Sequence, residues 1–156
     1  MAPRCYTELF FFDEATAIAA GHRPCHECRR DAFLDWQAAW KRAKSLTAPP
    51  RAPAMDNRLH SERIDPRTGG QQRWKTRPGG LPDGTFVMWK GTAHLIHERS
   101  LRHWTWQGYG PPLPSPDDTA VTVLTPPSSV EVLRSGYRPA LNFSGNALKA
   151  VGESDI

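Results

Sequence analysis

The sequence predicts an α+β fold: an N-terminal strand–helix–CxxC turn–helix unit, then a small antiparallel β-meander and a short C-terminal helix. Three observations lead there. Phe33, Trp36, Trp40 and Ala43 recur at three- and four-residue steps, the period of a helix with one apolar stripe. The stretch after residue 80 instead alternates in side-chain character between "DG" and "KG" turn signals, the period of strands. Six Trp, six Phe and three Tyr in 156 residues require a packed interior, while 15 Pro and 12 Gly indicate long connections.

Each element has its own signal. "YTELFFF", rich in β-favouring and aromatic residues, is read as a strand. Asp13 follows as the N-cap of the short helix "EATAIAA", with Glu14 favourably charged in its first turn. Gly21 suits the left-handed position that ends such a helix, and Pro24 keeps the chain from resuming one at once. "DAFLDWQAAWKRAKSL" is the second helix, opened or capped by Asp31, and its aromatic stripe is read as core. "TAPPRAP" ends it. "MDNRLHSERI" is a short helix capped by Asp56. "DPRTGGQQRWKTRPGG" has no apolar period and is expected as a mobile basic loop, tethered to the core by Trp74. Three strands of a meander are expected within residues 81–110, then "PPLPSPDD" as loop and "AVTVL" as a fourth strand. "TPPSSVEVLRSG" is a helix with Pro near its start and Gly136 as its stop. The organisation expected is residues 1–46 as one unit, 47–80 as a basic linker, 81–144 as a β-rich unit and 145–156 as a frayed tail, in one compact domain.

The bulk numbers narrow the function. The longest apolar run, "LFFF", is too short for a membrane span or a signal peptide, so no membrane partner and a cytoplasmic location are expected. Three cysteines are an odd count and argue against a disulfide framework. Charge is unevenly spread. Residues 29–77 hold 12 Lys or Arg against 5 Asp or Glu, a net of +7 in a chain of net +4. Such a segment is either a solvated basic linker or a surface for phosphate backbones.

"GHRPCHECRR", residues 21–30, carries the chemistry. Two thiolates two residues apart can grip one tetrahedral zinc, but they supply half of its ligands. A redox pair would need the first thiol at a helix N-terminus in a thioredoxin-like βαβ setting, which is missing. A plain turn with two small half-buried cysteines is the third reading. Other constellations are weaker. His94 and His97, three apart, fall on opposite faces of a strand, which argues against shared metal ligation. Trp104, Trp106 and Tyr109 suit either nucleobase stacking or core packing.

"FFFDEATAIAAGHRPCHECRR" resembles the zinc-binding domain of the Ada family of methylphosphotriester DNA repair proteins. In that family an aromatic strand and an Ala-rich helix lead into Ala-Gly-aromatic-Arg-Pro-Cys-x-x-Cys-Arg. Ala20, Gly21, Arg23, Pro24, Cys25, Cys28 and Arg29 match, and His22 stands in place of the aromatic residue. The likeness covers residues 10–30. It implies zinc held by Cys25 and Cys28 as two of four thiolates; Cys5 or His22 is expected to complete the set. The basic central segment adds DNA as an expected partner, with Arg23, Arg29 and Arg30 as the first phosphate contacts. The family's upstream cysteine pair, which contains the methyl acceptor, has no counterpart here. Either the start of the protein is missing from this chain, or the scaffold was kept without the reactive thiol. Methyl transfer is therefore not carried over. The competing expectation is an enzyme with a site around Trp104, Trp106, Tyr109 and His60, the cysteine turn being structural. A bare interaction module without metal is the third.

Overall fold

The computed structural model describes residues 10–116 and 119–144. Among these residues, four helices and a six-stranded antiparallel sheet make an α+β fold, with three helices first, the strands in the middle and one helix last. Among the described residues no helix is long and apolar enough to cross a membrane.

Helix α1, Glu14–Ala19, begins as the sequence predicts. Asp13 accepts from the Thr16 amide at 2.9 Å, and Thr16 Oγ1 accepts from the Asp13 amide, closing a capping box. Helix α2, Arg30–Ala43, carries Phe33, Trp36 and Trp40 buried on one stripe, with Ala43 packed at its edge. Arg29 rather than Asp31 holds its N-cap position, and Asp31 falls in the first turn. Helix α3, Ala52–Arg63, starts three residues earlier than expected, because Pro53 is pre-set for a first turn. Asp56 is thus inside the helix and not its cap.

The sheet contains β1 (Trp74–Thr76), β2 (Phe86–Trp89), β3 (Thr92–His97), β4 (Ser100–Thr105), β5 (Gly108–Pro114) and β6 (Val121–Val123), in spatial order β1-β6-β2-β3-β4-β5. Helix α4, Pro127–Arg134, follows, and Gly136 at φ +106° turns the chain after it. The β2–β5 meander has one strand more than the sequence predicts. β5 absorbs Pro111, Pro112 and Pro114, which read as loop; as an edge strand it needs no amide donors on its outer side. The expected loop 65–80 is also corrected. Trp74–Thr76 pairs with the open edge of β6, and Pro78–Gly80 forms a 3₁₀ turn. Trp74 does tether this segment, its Nε1 donating to the Thr125 carbonyl at 3.0 Å. A third correction concerns "YTELFFF". Phe10–Phe12 are not in a strand; Phe12 is used as a buried wedge, edge-on to Trp104 and Tyr109. The rest of that segment, and the tail from Gly145, lie outside the described residues.

Successive strand residues point to opposite faces, so the sheet has two cores. Phe86 and Leu95 pack with Ala15 of α1. Val87, Ile96, Leu101, Val121 and Val123 pack on the other side with Val130 of α4. A third cluster joins the helices: Ile18, the α2 aromatics, Met55 and Leu59 of α3, and Val132, Leu133 and Tyr137. Glu62 of α3 accepts from the Ser128 amide and hydroxyl, placing a carboxylate at the N-terminus of α4.

Candidate functional site

The cysteine turn is positioned by the end of α1. Gly21 has φ +81°, its amide donates to the Ile18 carbonyl, and the His22 amide donates to the Ala17 carbonyl. These two bonds form a Schellman stop, which reverses the chain into "RPCHEC". Arg23 then clamps the turn to α3 through a two-pronged pair with Asp56, at 2.8 and 2.9 Å, while its guanidinium lies 5.2 Å from the centre of the Phe33 ring. Arg63 adds a second clamp by donating to the Ala20 carbonyl.

On this base Pro24 is buried, Cys25 half-buried and Cys28 exposed. The Arg29 amide donates to the Cys25 carbonyl at 3.0 Å, so the four residues from Cys25 to Cys28 form one closed turn ahead of α2. Both cysteines are thiols. The histidines beside them face aromatic rings: His22 stands 5.1 Å from Phe11, and His26 meets Phe33 edge-on at 5.0 Å. Burial, and next the Arg63 charge, hold the His22 imidazole below its ordinary pKa, in its neutral form. Among the described residues no three His, Cys, Asp or Glu side chains come together as a metal-ligand set. On the turn itself the sulfur side chains are those of Cys25 and Cys28. His22 does not join them in such a group, and Cys5 lies outside the described residues.

The three arginines of the motif differ. Arg23 is paired with Asp56, and Arg29 donates to Glu14 at 2.9 Å. Arg30 is exposed at the first turn of α2. Farther along, Arg67, Arg73 and Lys75 are exposed, whereas Arg58 pairs with Glu62.

Two buried carboxylates organise the ground beneath the turn. Asp13 caps α1 with one oxygen, and with the other accepts from the Tyr109 hydroxyl at 2.6 Å and the Asn142 amide at 3.3 Å. Glu14 accepts from Arg29, from the Tyr137 hydroxyl at 2.7 Å and from the Ala140 amide at 2.7 Å. Burial, then the bonded carboxylates, push both phenols far above the ordinary tyrosine range. They act as fixed donors and not as acids. Above Glu14 opens a cleft of about 440 Å³ between α2 and residues 136–140. Arg29 and Arg42 stand on its helix wall and Arg138 on the other. Motif reasoning missed this cleft, because its residues come from three distant segments.

Trp104 and Tyr109 pack against Phe12 and Phe86, and Trp106, at a hairpin end and 78% exposed, meets Trp104 edge-on with ring centres 4.9 Å apart. His60 is exposed on α3, which packs on α4, so it is not part of the Trp104–Tyr109 cluster. His94 and His97 do alternate on β3; what the spacing did not reveal is that His94 faces His103 across the strands, with ring centres 5.3 Å apart. No family model matches the chain, and no curated protein or solved structure matches it either.

Proposed function

We propose that the chain is a cytoplasmic zinc-binding protein that associates with nucleic acid, resembling the metal-binding part of Ada-type repair proteins without their methyl transfer. The observation that carries this reading is the use made of the motif residues. Gly21 ends α1, Arg23 braces the turn that carries the half-buried Cys25 and the exposed Cys28, and Arg29 both closes that turn and anchors it to Glu14. Cys25 and Cys28 would hold the metal, with Cys5 as the third thiolate. When bound, zinc keeps such thiolates deprotonated and ties the turn to its other ligands. For nucleic acid the weight falls on exposed charge: Arg30 beside the turn, then Arg67, Arg73 and Lys75. The charges of Arg23 and Arg29 are already met by Asp56 and Glu14, and these two serve first as braces.

Elemental analysis of the purified chain with a thiol titration tests the metal. About one zinc per chain is expected, with Cys25→Ala losing it. Full titration of all three thiols in native, metal-free protein would sink the reading. Duplex DNA affinity should fall roughly tenfold for a threefold rise in salt, as about two to three neutralised phosphates require. Salt-independent binding would count against the nucleic-acid half alone.

A further inference from the structure

The cleft between α2 and residues 136–140 has a charge arrangement that the cysteine motif does not use. Arg42 directs Nε and Nη2 at the Ser135 carbonyl, at 3.2 and 3.0 Å. Arg138 directs Nη1 at the Leu133 and Tyr137 carbonyls, at 3.3 and 3.2 Å. Carbonyls fix a guanidinium in place without cancelling its charge, and they leave Nη1 of Arg42 and Nε and Nη2 of Arg138 outside these bonds. The floor is already satisfied: Glu14 takes donors from Arg29, Tyr137 and the Ala140 amide, so its charge is locally compensated. Ala32 and Ala38 keep the helix wall low, where longer side chains would fill the space. One carboxylate, the exposed Asp35, remains on that wall and opposes an anion.

We propose that this cleft binds a small molecule carrying a phosphate monoester, gripped between Arg42 and Arg138. A tetrahedral dianion has enough oxygens to accept from guanidiniums on two walls at once, and arginine forks suit phosphate oxygens. A volume of about 440 Å³ falls within the size range of small-ligand sites, and leaves room for a sugar or nucleoside beyond the phosphate. The site is separate from the proposed zinc ligands and requires no metal.

Calorimetric titration of the full chain with inorganic phosphate and with AMP, at low salt, tests it. Both should bind saturably and compete for one site. AMP binding tighter than phosphate identifies a phosphorylated small molecule as the ligand, and equal affinities identify phosphate itself. Arg42→Gln and Arg138→Gln should each weaken binding about tenfold. Arg134→Gln, an exposed arginine outside the cleft, should leave it unchanged. Because Arg42 and Arg138 also hold carbonyls at the end of α4, Asp35→Asn supplies a readout that leaves those contacts in place: it should tighten binding about threefold. Absence of saturable binding, or affinity unmoved by Asp35→Asn and both arginine variants, overturns the proposal. So does binding of duplex DNA that neither phosphate nor AMP displaces and that Arg42→Gln abolishes.

Discussion

Glu14 is the residue on which most of the surroundings depend. In sequence it is a favourable first-turn charge on a six-residue helix; in the fold it is a buried carboxylate bonded to Arg29, Tyr137 and the Ala140 amide. Those partners lie 15, 123 and 126 residues away, so nothing near Glu14 in the chain announces them. Its neighbour Asp13 was legible as a cap, because capping is a contact across three residues. Glu14→Ala would leave an amide and a hydroxyl unpaired in the interior and release Arg29. We expect a loss of about 3 kcal/mol in urea unfolding, against about 1 kcal/mol for Tyr137→Phe, which removes one donor. Equal, small effects for the two would mean that water replaces the carboxylate's partners.

At the scale of elements, helices were easier to foresee than strands. The α2 stripe is a periodicity within one segment, and burial of Trp36 and Trp40 follows from it. β1 and β5 were not foreseen, since a short strand with one apolar residue, or one rich in proline, is a strand because of its neighbour. The junction between α1 and the cysteine turn sits between these cases. Gly21 was readable as a helix stop, but not the Arg63 side chain lying against it. A Cβ at position 21 would meet Arg63 Cδ at 3.0 Å in addition to the left-handed φ of +81°. Gly21→Ala should therefore destabilise by about 1–2 kcal/mol in thermal unfolding, and should speed hydrogen exchange at the His22 amide more than in β3. Uniform loosening of both would show that the stop is not a local unit.

At the scale of the whole molecule, burial of two histidines in different parts of the fold makes stability sensitive to acid. Burial holds His22 on the helical side and His94 in the sheet below the ordinary value of 6.5. Arg63 adds to this at His22 and Asp56 opposes it; at His94 the Thr92 carbonyl opposes it and His103 adds to it. A histidine with a lowered folded pKa binds fewer protons folded than unfolded over that interval. Its contribution is therefore full above 6.5 and is lost as pH falls below 6.5 towards the folded value. The unfolding midpoint in urea should drop over that range, and His94→Asn should remove part of the drop. A midpoint that stays flat below pH 6.5 would mean that both rings are solvated.

The sequence by itself determined the fold class, the caps and stops of α1, the stripe of α2, and the motif that places Cys25 and Cys28 in one turn. Each of these is a matter of residues within a few positions of one another, where backbone geometry leaves few alternatives. The tertiary structure decided that Arg23 and Arg29 are braces, that Glu14 is a buried hub, that prolines can line the outer strand, and that Arg42 and Arg138 face one cleft. Those assignments depend on which distant segments share a dry interior. Charge pairing and edge position follow from that meeting, because burial of a carboxylate is tolerated only where donors arrive from elsewhere in the chain.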